Sequence, residues 1–360
     1  MKKIKEKKIL QNILTLISKK ILKRSYSFME VCGTHTMSIA KFGIRDILPE
    51  NIKLLSGPGC PVCVTPQEVI DAIIELAKNK NVIITTFGDM MRVPGSKISL
   101  EEERIHGAQI RIIYSPEELL GLASSYPEKE IVFIGVGFET TSPSVASVIK
   151  KALQNKIKNI SVFTAFKIIP PALRAILNHP KIKIEGFILP GHVSTIIGSH
   201  AYDFIPEEYG IPGVISGFEP IDILLSISIL IEQCNTKKFS IENEYIHGGV
   251  TAYGNKTALA LLDEVFTIGT DNWRAIGDIK DSGLFFREKY KMFDAKHKFN
   301  IKVPDIKHPS KCICGNILLG LALPTECKLF GLKCTPAKPV GPCMVSTEGS
   351  CAAYYKYAHK

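Results

Sequence analysis

The sequence predicts an α/β protein, with two similar parallel-sheet lobes and a smaller cysteine-rich domain at the C-terminus. Three observations predict it. Eight short runs of β-branched and apolar residues recur along the chain, four of them ending in Gly. Segments with helical spacing lie between most of these runs, the alternation expected of parallel strands covered on both faces. Six of the ten cysteines then fall between Cys312 and Cys351, in a tail rich in Gly and Pro with little periodicity.

The chain opens on a basic segment. Residues 1–24 hold nine Lys or Arg against one Glu, so most of the formal charge of +10 sits there and the rest of the chain is nearly neutral. Ile9, Leu10, Ile13, Leu14, Ile17 and Ile21 follow helical spacing, so residues 1–26 read as a basic amphipathic helix docked on its own protein. The apolar stripe lacks Trp and Phe, which argues against a membrane-surface helix. No long basic stripe elsewhere marks a nucleic-acid surface. The first lobe is expected over 27–126, with strand runs at 27–32, 52–57, 81–88 and 110–115 and helices at 37–47, 66–79 and 116–125. The second is expected over 127–236, with strand runs at 130–137, 159–166, 184–191 and 213–218 and helices at 142–155, 170–178 and 219–233. Residues 237–360 are expected to hold mixed structure, including a helix near 257–268, and then the cysteine-rich domain.

The longest apolar runs, such as IDILLSISILI (221–231), are too short to cross a bilayer. No signal peptide is visible, so a cytoplasmic location is expected, where disulfides rarely serve as structural staples. The cysteines therefore read as metal ligands or redox groups.

The chemistry gathers after the strand runs. CGTHT (32–36) follows the first, GPGCPVCVTP (57–66) the second and TFGDMMRVPGS (86–96) the third, while GFETT (137–141) and PGHVS (190–194) hold equivalent places later. Ligands of open parallel sheets bind at the carboxyl ends of the strands. Cys60 and Cys63 form a CxxC that fits a disulfide, a metal chelate or a thiol-exchange pair. A structural zinc half-site is the plain alternative, but no second CxxC completes it. A single buried cysteine is usually an inert small apolar residue. Cys32, however, ends a strand beside Gly33 and His35, where an iron or copper ligand or a nucleophile would fit. Glu139 and His192 are lone polar groups on glycine-flanked loops; either could be a hydrogen-bonded loop residue, and the nearby thiols favour chemistry. No GxxxxGK[ST] occurs and no GxGxxG follows a strand, so nucleotide binding has little support. Asp89 and Arg92 fit a solvated pair as well as a site. Cys234 and Trp273 read as packing.

Four thiolates fill either a [4Fe–4S] cluster or a tetrahedral zinc site. The tail has six, in Cys312, Cys314, Cys327, Cys334, Cys343 and Cys351, and neither a ferredoxin run nor a paired CxxC. The surplus of two suggests a redox pair beside an electron-transfer cluster. A zinc-stabilised binding protein and a stand-alone thiol-disulfide oxidoreductase are the rival readings.

CGTHT, GPGCPVCVTP, GFETT, PGHVS and the tail's ECKLFGLKCTP and VGPCMVSTEGSCAAYYKY together resemble the HypD family of hydrogenase maturation proteins. The likeness runs from about Phe28 to Tyr357, and the combination of motifs is specific. The resemblance implies a factor that helps to build the Fe(CN)2CO unit of [NiFe]-hydrogenases. It implies a stable complex with the small protein HypC, a transient one with HypE as cyanide donor, and no nucleic-acid or membrane partner. The family's C-x12-C-x6-C-x16-C pattern falls on Cys314, Cys327, Cys334 and Cys351, implying a [4Fe–4S] domain at the C-terminus. Cys312 and Cys343 are then the redox pair, as in the similar cluster site of ferredoxin:thioredoxin reductase. Cys32 matches the cysteine that holds the iron under assembly, which carries CN and CO ligands. Cys60 and Cys63 match the family's CxxC, while His35, Glu139 and His192 are candidate groups for orienting ligands or moving protons.

Overall fold

A computed structural model describes residues 2–303 and 311–357. Each of the eight expected runs contains a strand: β1 Tyr26–Glu30, β2 Ile52–Ser56, β3 Val82–Thr86, β4 Ile110–Ile112, β5 Glu130–Gly137, β6 Ile160–Phe166, β7 Gly186–Pro190 and β8 Gly213–Ser216. Three more follow, β9 Ile241–Asn243, β10 Phe266–Trp273 and β11 Gly277–Phe286. Two parallel sheets result, in the orders β2-β1-β7-β8-β9 and β4-β3-β5-β6, and β10 and β11 form a separate antiparallel hairpin.

The expected grouping of strands by sequence halves is corrected by this topology. β1 pairs β2 on one side (Phe28 opposite Leu54) and β7 on the other (Phe28 opposite Gly186), although 155 residues separate the ends of β1 and β7. β3 and β4, expected in the first lobe, instead join β5 and β6. Strand-like patterning says that a run is buried, not which neighbour buries it. Sequential strands are spatial neighbours often but not always. The edges are visible in burial: β3, β6, β7 and β8 are buried throughout, whereas β2, β4 and β9 alternate or open to solvent.

The core has three parts. A central cluster lies between the sheets and includes Met29, Ile84, Val132, Phe163, Phe187 and Trp273. A second covers the outer face of the four-stranded sheet, where the helix Ser142–Gln154 and the hairpin pack. A third covers the outer face of the five-stranded sheet. There the basic helix Lys2–Lys20 docks on the helix Pro220–Thr236 through Ile13 and Ile17, and Lys20 pairs with Glu232 at 2.5 Å. Its apolar stripe is thus used inside the protein. Among the described residues no helix is long and apolar enough to cross a membrane.

The tail has no large apolar core of its own. Cys314, Ile317, Leu318, Cys334, Cys343, Met344, Val345 and Cys351 all join the central cluster. Its regular structure is limited to short pieces, Cys314–Leu318 and Ser350–Tyr357 as helices and Pro324–Glu326 and Pro342–Met344 as single turns. The expected C-terminal domain is therefore built onto the sheets. The helix Ser350–Tyr357 packs on Gly33–Lys41, and Pro342–Met344 packs on the turn Pro61–Val64.

Candidate functional site

VCGTHT follows β1, which stops at Glu30, and Cys32 then caps the helix Gly33–Lys41. That helix carries Thr34 and His35 away from the sheet edge. The next strand, β2, is followed by GPGC, whose Gly59 lies against β1's exit. A Cβ on Gly59 would stand 2.3 Å from the Cys32 nitrogen, and one on Gly33 would stand 2.2 Å from Glu348 Cβ. Glycine at both positions is what lets three backbone segments meet around one sulfur.

The meeting point is a small cleft of about 160 Å³ at the carboxyl ends of strands from both sheets. Cys32 and Gly59 enter it from β1 and β2, Thr140 and Thr141 from β5, and His192 from β7. Glu348 enters from the tail and accepts a hydrogen bond from Thr34 Oγ1 at 3.1 Å. Cys32 is 9% exposed, and burial, with the Glu348 carboxylate second, pushes its thiol up to about 12. Its backbone N–H donates to Glu30 Oε2 at 3.4 Å, and Thr36 Oγ1 donates to the same buried carboxyl's Oε1 at 2.7 Å.

Cys60 and Cys63 stand beside the cleft on the turn Pro61–Val64, paired as a disulfide with Cα atoms 5.3 Å apart. The Cys63 N–H donates to Cys60 Sγ at 3.2 Å, so the turn itself holds the pair together.

The histidines flank one ring. His35 and His192 lie on Phe218 at centroid distances of 4.8 and 4.1 Å. His35 is fully buried, and its Nε2–H donates to the Gly217 carbonyl at 2.9 Å, with Ser216 O at 3.3 Å. Burial lowers its pKa to about 4, so the ring is neutral at physiological pH, and its Nδ1 has no partner. His35 supports the site through Phe218, while His192 lines the cleft. Glu139 faces elsewhere: it lines a separate, mainly apolar cavity of about 510 Å³ with Ile168, Leu259, Leu262 and Phe266. Its Oε1 accepts the Ile169 N–H at 2.9 Å and its Oε2 has no partner.

The tail thiols form a second centre. Cys314 sits between Cys312, whose hydrogen bond favours its thiolate, and Cys343, which together with burial outweighs that and pushes the thiol up to about 12. Burial, followed by the charges of Cys312, Cys314, Cys334 and Cys327, holds the Cys351 thiol far above its ordinary range. These sulfurs are therefore within electrostatic reach of one another. Among the described residues, no three His, Cys, Asp or Glu side chains stand in an arrangement that could close on a metal ion. The chemistry of the donor set still fits an iron–sulfur group. All the donors are soft, and the Val340 N–H already donates to Cys334 Sγ at 3.3 Å, the kind of hydrogen bond that tunes cluster sulfurs.

A family model, HypD, described as "Hydrogenase formation hypA family", matches residues 5–358. The hydrogenase maturation factor HypD of Azotobacter vinelandii is 45% identical over 345 residues, covering 94% of this chain and 91% of its own. That of Cupriavidus necator is 42% identical over 340 residues, covering 92% and 89%. That of Rhodobacter capsulatus is 44% identical over 334 residues, covering 91% and 88%. The chain belongs to the HypD family of hydrogenase maturation factors.

Glu348 and Phe218 carry little signal in the sequence of this HypD chain, and Asp89 and Arg92 fit a solvated pair there as well as a site. Glu348 reaches the Cys32 cleft from 316 positions away in the sequence. Its one sequence signal is its place as the sole acid in MVSTEGSC. The Asp89 and Arg92 pair proves to be a tail anchor. Asp89 Oδ2 accepts from Ser346 Oγ, Thr347 N and Thr347 Oγ1 at 3.0–3.1 Å, and Arg92 donates to the Pro336 carbonyl at 3.3 Å. Phe218, which spaces the two histidines, carried no signal beyond its position after β8.

Glu139 in this HypD chain makes a pH-dependent contribution to stability. Burial raises its carboxyl to about 7 in the folded state, against 4.5 for an ordinary glutamate. The neutral form is favoured by the fold, so this contribution is complete below the unfolded value and is lost as pH rises through about 7. Urea unfolding at acid and neutral pH should show Glu139→Gln, always neutral, gaining on the wild type by on the order of 1–3 kcal/mol as pH rises. Parallel pH profiles for the two proteins would show that Glu139 ionises without cost in the fold.

Proposed function

We propose that this protein is a scaffold and redox partner for assembly of the Fe(CN)2CO unit of [NiFe]-hydrogenases, working in the cytoplasm with HypC and HypE. The observation that carries the reading is the convergence on Cys32 of the CxxC turn, His192 and Glu348. Iron is the cargo. Cys32 Sγ is the donor that would hold it, with HypC supplying the other side in a stable complex and HypE delivering cyanide transiently. A thiol held neutral by burial gives up its proton when a cation arrives, so metal loading and deprotonation are coupled. His192 is close enough to the cleft to receive that proton, and Glu348, whose carboxyl burial also raises, is close enough to exchange it.

Cys314, Cys327, Cys334 and Cys351 would hold a [4Fe–4S] cluster, which supplies single-electron chemistry when bound. Burial helps to raise the Cys314, Cys334 and Cys351 thiols, so loading a cation there and losing their protons would be coupled. Cys343 lies on the turn that packs against Pro61–Val64 and is hydrogen-bonded to Cys314, so thiol pairs line the way from tail to CxxC. A stand-alone oxidoreductase fits less well. Cys60 and Cys63 are 3% and 0% exposed, leaving no sulfur open to a second protein's thiol. Infrared spectroscopy of the protein co-purified with HypC tests the reading. Bands of iron-bound cyanide and carbon monoxide are expected; their absence from a loaded, reduced complex would reject it.

A further inference from the structure

The turn between β10 and β11 holds an arginine that no motif marks. Trp273, fully buried and stacked on Phe138 at 6.0 Å, anchors the end of β10 in the central core. The next residue, Arg274, turns its bonds onto the CxxC segment. Its backbone N–H donates to the Val64 carbonyl at 2.7 Å, Nε–H to the Thr65 carbonyl at 2.8 Å and Nη1–H to Gln67 Oε1 at 3.3 Å. The first two acceptors close the end of the turn Pro61–Val64, which carries Cys63. The fourth group, Nη2, is buried without a partner. Among the described residues Arg274 is in no ion pair.

The same turn touches the tail. Ala275, at φ 72°, lies so close to Gly315 that a Cβ there would stand 2.6 Å from its own. Gly315 follows Cys314, and the guanidinium charge acts on both Cys312 and Cys314. One rigid turn therefore grips the CxxC segment with one residue and rests on the cysteine-rich tail with the next.

We propose that Arg274 is a positioning residue that clamps the Cys60–Cys63 turn against the tail, keeping the two sulfurs together when the bond between them is opened. This rests on the proposed redox use of that pair. With the S–S bond broken, the turn would be free to open unless other bonds hold its end. A held turn keeps the thiols at high mutual concentration and so favours the disulfide. The clamp acts through the geometry of its fork, not its charge, because a guanidinium reaches Thr65 and Gln67 at once whereas an ammonium is a single point.

The test uses the full-length protein equilibrated with mixtures of reduced and oxidised dithiothreitol. In this exchange the Cys60–Cys63 bond breaks and two thiols form, while dithiothreitol loses both thiol protons and closes its own disulfide. Alkylation and peptide mass read the fraction reduced, and thermal melts confirm folding. Arg274→Ala and Arg274→Lys should both shift the equilibrium toward the dithiol by about tenfold, and Gln67→Ala by less. Folded variants that match the wild type would overturn the clamp, and so would a wild-type-like Arg274→Lys beside a shifted Arg274→Ala, which would show charge alone at work. A wild-type pair that dithiothreitol cannot cycle would overturn the redox reading beneath it, a result separable from a cycling pair that ignores Arg274.

Discussion

Cys32→Ala is expected to abolish the cyanide and carbon monoxide bands of the complex with HypC while leaving iron in the tail unchanged. The substitution is unusually clean. Cys32 is the N-cap of Gly33–Lys41, yet its side chain makes no hydrogen bond to that helix, so removing the sulfur costs the fold little. What is lost is the one soft donor in a cleft otherwise lined by oxygen, imidazole and apolar groups. Soft thiolate makes iron electron-rich enough to bind cyanide and carbon monoxide well, and a serine hydroxyl in its place is a hard donor that would not do so. Cys32→Ser should therefore fail as completely as Cys32→Ala. His192→Ala should weaken the bands less, since it would orient or protonate ligands rather than hold the metal. Infrared spectra beside iron analysis decide the matter. Normal bands from Cys32→Ala would move the iron elsewhere, with Cys60 and Cys63 the next candidates.

The second large effect is expected in the tail. Cys314→Ala, Cys327→Ala, Cys334→Ala and Cys351→Ala should each reduce iron from about four per chain to near none, with loss of visible absorbance. Each should also lower the melting temperature by several degrees, roughly the effect of 1–2 kcal/mol in a chain of this size. The reason is packing. Between its short helical pieces the tail has little regular structure, and its cysteines supply part of what it contributes to the central cluster. Cys312→Ala and Cys343→Ala should keep iron and colour while losing redox-coupled maturation. Cys343 is only 1% exposed, so its variant is the better test of the division; a small cavity is all the fold loses. Anaerobic purification, metal analysis and melting curves measure all six. Iron loss in this pair with retention in any of the four would reverse the assignment.

Much of the molecule was legible in one dimension. Strand runs such as EIVFIGVG and NISVFTAF appear as β5 and β6 almost to the residue, because burial on both faces demands continuous apolar runs whatever the neighbour. The basic helix was legible for the same reason: Ile13 and Ile17 share one face and had to be covered. The expected helix near 257–268 appears as Lys256–Val265, but the hairpin that follows it was not legible. β10 reads FTIGTDNW, interrupted by Gly269 and by three consecutive polar residues, so its pairing with β11 depends on a bulge and on Phe266 meeting Phe286 rather than on a run.

Within the site, CGTHT, GPGCPVC and PGHVS were legible because glycine beside a chemical residue at a strand end marks a backbone held close to something. Glu139 sits in an equally marked loop, yet it faces the larger cavity while its neighbours Thr140 and Thr141 line the cleft. Loop residues can point either way, and only packing chooses. Glu348 and Arg274 carried little or no local signal, since each acts on residues far away in the chain.

The sequence by itself determined the α/β class, the strands of both sheets except the short edge β9, the family and the cysteine inventory, because each follows from local pattern and residue type. The tertiary structure alone decided that β1 pairs with β7, that four of the tail's cysteines join the central core, and that Glu348 and Arg274 reach Cys32 and the CxxC turn. Those are pairings between distant segments. Their choice depends on how crossover helices and buried side chains fit together in space, a property that no window along the chain contains.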